Sequence, residues 1–297
     1  MRIDCWLIFT GVLGASVAYG QVKRQFNVEN TQACESIKLC LKANSGNCYI
    51  KPSHNPDLLN VFSNQNEESF SHNFVKEIKG STCEVSLALE EMKSNGISQT
   101  ISARMFGPSE KNTDEKYWKM YLTNHKPYML EMAYGVGNAN IDLSGLSIKK
   151  LKINTGSADV NVGYYSLENM VDMDTFMVKV DLGTVHVMNV NLSRSQHVIA
   201  DVGFGNLTLD FSGQPLVNNT VKGSVGAGNL IILLPDKDIP VLIKIHDSWL
   251  CSIAIPDNLK KVASNTFANE AYKKNSSNPL TFDLDVSMGK IMFKETN

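Results

Sequence analysis

Three pairs of aspartates in this sequence have a spacing that could place two carboxylates side by side. The pairs are Asp172 with Asp174, Asp236 with Asp238, and Asp283 with Asp285. In a β-strand, residues two apart point to the same face, so each pair could ligate calcium or act as a general acid and base. None is followed by the further oxygen ligands of a calcium loop, so we interpret all three as solvent-facing polar residues.

Other residue types that carry chemistry are present without the spacing that a site requires. The six histidines are scattered, with no HxH or HExxH pair for a metal. The phrases "GVGNA", "GFGN" and "GAGN" lead into strand-like sequence, whereas a dinucleotide-binding glycine loop opens a helix. There is no GxSxG nucleophile elbow. The sequence therefore predicts no catalytic residue, no bound metal and no cofactor.

Three aromatic residues are the best candidates for a binding surface. Trp249 lies in "HDSWLCSIAIP", and Tyr164 and Tyr165 lie together in "VGYYSLEN". Exposed aromatic side chains on a regular fold stack on sugar rings or insert into the surface of a protein partner. The alternative is that these rings fill corners of the fold or cap its end.

The elements that would position these residues form a repeat. Seven copies align on one small residue each, and the steps between these residues are 19, 25, 22, 23, 23 and 38. The aligned residues are Ala139, Ala158, Gly183, Gly205, Gly228, Cys251 and Gly289. Apolar residues follow at plus two and plus four, and most copies have a second alternating run before the small residue. Because alternation with period two is the strand pattern, each copy is predicted to be two short strands hinged at a small residue.

A step of this length is typical of one coil of a β-solenoid. We predict an all-β solenoid of about seven short coils over residues 129–297, with a smaller β region over residues 21–128. The last step contains "KKVASNTFANEAYKKNSSNPL", which we interpret as an insertion that covers the open edge of the stack. A sandwich of β-hairpins is the alternative, but the chain has an Asn-Gly turn dipeptide only outside the repeat.

Composition and the first residues indicate an exported protein. The net charge is −2 and no strong basic run occurs, which excludes nucleic acid as an expected partner. Residues 1–20 have the pattern of a signal peptide, with Arg2, a short apolar stretch and "AYG" before Gln21. An N-terminal anchor helix is the alternative, which the short apolar run disfavours. No later segment reaches the length of a membrane-spanning helix, so no transmembrane segment is expected in the mature chain. We therefore expect a periplasmic or cell-surface protein.

Export also makes disulfides permissible, and five cysteines follow the predicted signal peptide. Cys40 and Cys48 flank the turn-like phrase "ANSGN" and would face each other across a hairpin. Cys34 and Cys83 would then form the remaining near pair. Because the number is odd, at least one thiol, such as that of Cys251, stays free or pairs between chains.

The phrases "LEMAYGVGNANIDLSGLSIKKLKINTGSADVNV" and "DVGFGNLTLDFSG" resemble the toast-rack family of bacterial envelope proteins, over residues from about 115 to 297. That family is similar to the LiaF-like C-terminal region and to the head domain of auto-transporter adhesins. The resemblance implies a right-handed, single-stranded β-helix-like fold and an exported protein that faces the envelope. It implies either adhesion or a regulatory role through membrane sensors, although a LiaF-type protein would carry a transmembrane segment.

The function expected from these observations is binding or adhesion by a non-catalytic envelope protein. Its partner would be an envelope protein or a glycan. A regulatory partner in an envelope-stress or cell-wall-antibiotic response is the alternative that follows from the resemblance. A polysaccharide-active enzyme is a further alternative, for which the spaced aspartates are the only indication.

Overall fold

Two large β-sheets make up nearly all of the regular structure in a computed structural model that describes residues 24–64, 70–91, 117–274 and 278–295. Within these ranges, sheet A has 11 strands and sheet B has 12. The helical elements of the same ranges are a 3-10 helix at Val190–Ser193 and a one-turn α-helix, α1, at Glu270–Lys273. The all-β prediction is confirmed. The predicted signal peptide, residues 1–20, lies outside the described residues.

The strands are numbered in chain order across both sheets. Sheet A contains β1 (Arg24–Val28), β3 (Asn47–Pro52), β4 (Leu59–Ser63), β7 (Tyr117–Leu122), β9 (Asn138–Asp142), β11 (Asp159–Gly163), β13 (Thr184–Met188), β15 (Asn206–Asp210), β17 (Asn229–Leu234), β19 (Ser252–Ala254) and β23 (Lys290–Glu295). Sheet B contains β2 (Ser36–Ala43), β5 (Phe70–Lys79), β6 (Thr82–Glu91), β8 (Tyr128–Tyr134), β10 (Ile148–Thr155), β12 (Met173–Val180), β14 (Ser195–Val202), β16 (Asn219–Val225), β18 (Val241–Asp247), β20 (Lys260–Ala263), β21 (Thr266–Ala268) and β22 (Leu280–Val286).

Each repeat follows the same path, which we call a rung: a strand of sheet B, a short corner, and a strand of sheet A. In one rung, β12 leads through residues 181–183 into β13. Neighbouring rungs pair in parallel and in register, so that Val178 lies beside Ile153 and Ala200. All seven predicted copies have this form. The interpretation of each copy as two strands hinged at a corner is therefore confirmed.

The two sheets enclose one hydrophobic core. Along each strand, apolar side chains alternate between buried and outward positions; in β12, Phe176, Val178 and Val180 are buried while Lys179 is exposed. Burying such a side chain fully stabilises the fold by about 1.5–3 kcal/mol. Because each rung covers the apolar residues of the next, a single rung could not bury its own apolar side chains.

The corners require small residues because successive backbones approach closely there. A Cβ atom at Gly183 would lie 2.0 Å from the carbonyl oxygen of Ala158. One at Gly228 would lie 2.2 Å from the carbonyl oxygen of Gly205. Backbone carbonyls cannot move aside as a flexible side chain can, so the third corner position accepts little beyond hydrogen in these rungs.

The predicted small residue of the first copy, Ala139, is wrong by two positions. Ala139 in β9 pairs with Val160 in β11, so it occupies an apolar core position. The corner residue is Gly137, which has a φ of 126° and whose Cβ would lie 2.0 Å from the carbonyl oxygen of Gly46. Because the strand period is two, a slip of two residues keeps every side chain on its face, and the alternation cannot detect it.

The rungs do not stack in chain order at the C-terminal end. Sheet B runs β16, β22, β18 and sheet A runs β17, β23, β19, so the last rung of the chain lies inside the stack. The insertion before it covers β18, the sheet B strand of the outermost rung, because β21 pairs antiparallel with β18 and β20 with β21. Asn269, buried at the N-cap of α1, accepts from the Val241 amide at 3.0 Å and donates to the Ile239 carbonyl at 2.6 Å.

The N-terminal end has the same interleaved arrangement. In sheet B, β2 lies between β6 and β8, and in sheet A, β3 lies between β7 and β9. A disulfide between Cys34 and Cys83 joins the residues just before β2 to β6. Strands β1 and β4 extend sheet A by antiparallel pairing. The region expected to begin the stack thus supplies strands to both sheets.

We expect Gly228→Ala to lower the free energy of unfolding by about 1–3 kcal/mol, because the new methyl group meets the Gly205 carbonyl. The measurement is chemical denaturation followed by circular dichroism. The matched control is Ala227→Ser at the neighbouring exposed corner position, which should change stability by less than about 0.5 kcal/mol. Equal effects of the two substitutions would contradict the close-approach explanation.

Candidate binding surface

The middle residues of five successive corners form a column, which we call the corner ridge. Its members are Leu182, Phe204, Ala227, Met288 and Trp249. The amides of Phe204, Ala227 and Met288 each donate at 2.8 Å to a corner carbonyl of the rung before. Such bonds hold neighbouring corners about 4.8 Å apart, so the five side chains are spaced regularly along one edge of the stack.

The ridge exposes more apolar surface than isolated surface residues do. Leu182 is 63% exposed, Phe204 72%, Met288 59% and Trp249 90%. Single exposed apolar residues are common on proteins, but a contiguous set is typical of an interaction site. The prediction that placed Trp249 on a surface agrees with this position.

Trp249 protrudes because its corner is one residue longer than the corner beside it. Four residues separate β18 from β19, whereas three separate β22 from β23. The Ser248 hydroxyl donates to the Ser287 carbonyl and ties the longer corner to its neighbour. The extra residue is therefore accommodated outward, and it carries Trp249 and the half-exposed Leu250 into solvent.

The side of the ridge that belongs to sheet B is acidic. Asp181, Asp201 and Asp285 lie at or next to the corners with their side chains exposed or half-buried. Lys179 is the neighbouring cation, and its Nζ lies 3.9 Å from carboxylate oxygens of both Asp181 and Asp201. The ridge is thus an apolar strip with a net negative flank.

Tyr164 and Tyr165 do not belong to this surface. Tyr164 is fully buried, and burial raises the pKa of its phenol far above the ordinary value. The prediction of Tyr164 as a surface residue is wrong, because the alternation of Val160 and Val162 continues into it and directs its ring inward. Tyr165 is 53% exposed but follows the sheet A strand of its rung, away from the corners that form the ridge.

Three of the four large apolar residues of the ridge were missed by the sequence analysis. Leu182, Phe204 and Met288 stand immediately before the corner glycine in "DLG", "GFG" and "SMG". Their position before the corner glycine was the signal that could have identified them. The corner has no room for a side chain at the glycine, but the side chain of the residue before it points outward.

The predicted pairing of Cys40 with Cys48 is wrong, whereas the Cys34–Cys83 disulfide is present. Cys40 lies on the outer face of β2 in sheet B, and Cys48 is buried in β3 of sheet A. The turn between them is a corner between two sheets and not a hairpin within one, so the two thiols point to different environments. Cys251 is also a free thiol, and its Sγ donates to the Ser248 carbonyl at 3.1 Å.

Two further findings concern metals and membranes. Within the described ranges, no three His, Cys, Asp or Glu side chains come together as a metal site would require. The Oδ1 atom of Asp283 lies 3.1 Å from Nε2 of His246 on the outer face of sheet B. In the same part of the chain, no helix has the length and apolar character needed to cross a membrane.

Iodide should quench the fluorescence of Trp249 and leave that of Trp118 unaffected, because Trp249 is 90% exposed and Trp118 is 1% exposed. The measurement uses a Trp6→Phe background, which removes the tryptophan outside the described residues. Adding Trp249→Phe should abolish the quenchable emission and change stability by less than about 0.5 kcal/mol. Protection of Trp249 from iodide would contradict the exposed corner.

The free thiols should differ in reactivity toward iodoacetamide at pH 8, as mapped by mass spectrometry. Burial disfavours the thiolate and raises the pKa of Cys48 to about 12, so Cys48 should stay unmodified until the protein is denatured. The pKa of Cys40 is also raised, by burial and then by the Glu131 carboxylate, but Cys40 is only partly buried, so it should react slowly in the native protein and faster than Cys48. Rapid native labelling of Cys48 would place it outside the core.

Comparison with known proteins identifies a family that matches this chain. Residues 18–184 match the family described as the N-terminal domain of toast_rack. A search of curated proteins returned no match. Among solved structures, a candidate cell adhesion protein from Clostridium sporogenes aligns with 19% identity and a TM-score of 0.41, over 92% of this chain and 99% of that chain. A candidate adhesin from Bacteroides fragilis aligns with 14% identity and a TM-score of 0.32, over 93% and 96%.

The family assignment comes from the sequence match. That match runs from before β1 to the first residue of β13, so it includes the first phrase that carried the resemblance and ends before the second. It covers more than half of the 297 residues. The chain therefore belongs to the toast_rack family.

Proposed function

We propose that this chain is a non-catalytic protein of the cell envelope whose corner ridge binds a partner protein. The observation that carries the proposal is the column of Leu182, Phe204, Met288 and Trp249, each more than half exposed. Keeping these side chains in water is unfavourable, and covering them would contribute roughly 25 cal/mol for each Å² of apolar area removed from solvent. Tryptophan and other aromatic residues are also enriched among the residues that dominate binding energy.

The shape and charge of the ridge favour a protein over a lipid surface. Its five corners span about 20 Å, a length that matches a groove or a helix on a partner. The acidic flank formed by Asp181, Asp201 and Asp285 would repel anionic lipid headgroups. The same flank would orient a partner that carries lysine or arginine beside an apolar groove.

Two features support placement in the envelope. Residues 1–20 have the pattern of a signal peptide, which would export the chain. The disulfide between Cys34 and Cys83 is of a kind that persists in oxidising compartments. We place the protein in the periplasm or on the cell surface, and the identity of the partner would distinguish these compartments.

Photo-crosslinking in intact cells tests this function. A benzophenone amino acid replaces Phe204 in one variant and Tyr165, an exposed aromatic residue away from the ridge, in a matched control. We expect a defined protein adduct from position 204 and none from position 165. Adding Trp249→Ser and Leu182→Ser, one at each end of the ridge, should lower the adduct yield at least about tenfold, because truncating a dominant aromatic or apolar contact costs about 2 kcal/mol or more.

The outcomes separate the candidate functions. An adduct with a membrane sensor would indicate regulation, and an adduct with an outer-surface or host protein would indicate adhesion. Equal adducts from positions 204 and 165, or yields that the serine substitutions leave unchanged, would refute the ridge as the binding surface.

A further inference from the structure

A second surface lies at the opposite end of the stack, on the outer face of sheet A. It consists of Tyr49, Phe62, Tyr117, Lys119 and Tyr121, which we call the aromatic patch. Lys119 in β7 pairs with Phe62 in β4 on one side and with Tyr49 in β3 on the other. Tyr117 and Tyr121 precede and follow Lys119 by two residues on the same face of β7. Lys119 is thus surrounded by four aromatic side chains.

The rings hold the lysine while leaving room for a ligand. The Lys119 Nζ lies 4.2 Å from the centre of the Tyr117 ring, a cation–π contact. Phe62 and Tyr121 meet edge to face with centroids 5.8 Å apart, and Tyr49 and Tyr117 do so at 6.5 Å. Edge-to-face pairs are not closed stacks, so ring faces remain available to a third ring.

A shallow depression opens over this arrangement. Its volume is about 330 Å³, and it is lined by Phe62, Ser63, Tyr117, Lys119 and Tyr121. This is at the lower end of the range for small-ligand sites and fits one or two sugar units.

Among the residues that the structure describes, the positive charge of the patch has no acidic partner. In the ranges that the structure describes, no carboxylate forms an ion pair with Lys119, although acidic side chains neutralise Lys79, Lys179 and Lys273 elsewhere. Lys51, which pairs with Tyr121 across β3 and β7, adds a second positive charge on the same face. An anionic ligand would therefore meet two cations set among aromatic rings.

The backbone beneath the patch is fixed in advance of binding. Trp118 and Met120 alternate with the patch residues along β7 and are buried in the core. The Tyr117 amide donates to the Asn64 side chain at 2.8 Å, and the Ser63 hydroxyl donates to the Tyr117 carbonyl at 3.1 Å. A site on a rigid sheet loses little entropy on binding, which favours a weakly interacting ligand such as a saccharide.

The chemistry of this face fits a sugar better than a peptide. Strands β3 and β7 are paired on both sides, so they offer no free backbone edge for an added peptide strand. The partly positive C–H groups of a pyranose suit the negative faces of aromatic rings. Beyond Tyr49, the same face continues with amide side chains, where Asn138 donates to Asn47 at 3.0 Å and Asn161 to Asn140 at 3.3 Å.

We propose that the aromatic patch binds an acidic saccharide, with the carboxylate of a uronic acid on Lys119 and its ring against the neighbouring tyrosines. The amide rows would contact the hydroxyl groups of adjoining sugar units. This site is separate from the corner ridge, so either surface can fail its test without affecting the other.

Isothermal titration of the disulfide-intact protein with hexagalacturonate and with a hyaluronan hexasaccharide tests this site. At least one of the two should bind, and added salt should weaken the binding because it screens the partly exposed Lys119 and Lys51. Lys119→Gln should lower the affinity at least about tenfold, since it removes a charge-assisted hydrogen bond. Tyr121→Ala should weaken binding severalfold, and Lys290→Gln, on the same face of sheet A in β23, should leave it unchanged.

The comparison ligands are cellohexaose, which is neutral, and a hexaglutamate peptide, which is anionic without sugar rings. Equal binding of cellohexaose would show that Lys119 does not select the ligand, and equal binding of hexaglutamate would show a general anion site. Either of these results overturns the proposal. So does a failure of both acidic hexasaccharides to bind at about 10 mM, or an unchanged affinity in a folded Lys119→Gln variant. Thermal unfolding verifies the fold of each variant, and Lys119→Arg should retain binding.

Discussion

The close stacking of corner backbones is the constraint on which the rest of this structure depends. Corner amides donate to carbonyls of the preceding rung, as Phe204 does to Asp181, and a Cβ at Gly205 would lie 2.4 Å from the Gly183 carbonyl oxygen. This contact fixes the height of each rung relative to its neighbour. Both sheets therefore remain in register, and the inward side chains of every rung meet those of the next in a single core.

The same constraint decides where this fold can carry function. The third corner position must be small and the inward strand positions must be apolar, so neither can vary freely. The middle corner position and the outer sheet faces have no such requirement, and there the chain carries Phe204, Trp249 and the aromatic cluster around Lys119. A stack built in this way presents an apolar edge and a flat polar face independently, because each is supported by the same core from a different side.

The local alternation of apolar residues predicted the strands and the hinges between them. It could not predict which distant strands pair with one another. Alternation is set by residues within one strand, and it correctly gave two strands for each copy. It could not distinguish Ala139 from Gly137 as the corner residue, because a shift of two residues preserves the pattern. For Tyr164, the alternation correctly indicates a buried side chain, whereas its aromatic character had suggested an exposed one. Tyr117 and Tyr121 flank Lys119 in its own strand, but Tyr49 and Phe62 come from β3 and β4, so no linear motif links all four neighbours. The pairing of Cys34 with Cys83 was predicted correctly, but only as the pair left over after Cys40 and Cys48 were assigned to a hairpin that the structure does not contain.

The interleaved rungs give the chain a required order of assembly. Strands β18 and β19 are synthesised before β22 and β23, yet their final neighbours are β22 and β23. Until residues 280–295 arrive, β16 and β17 lack their final neighbours, and β18 carries the same apolar alternation as β22, which pairs with β16. Completion of this end therefore waits for the later segment to take the inner place, which makes correct stacking a late event in the biogenesis of the protein.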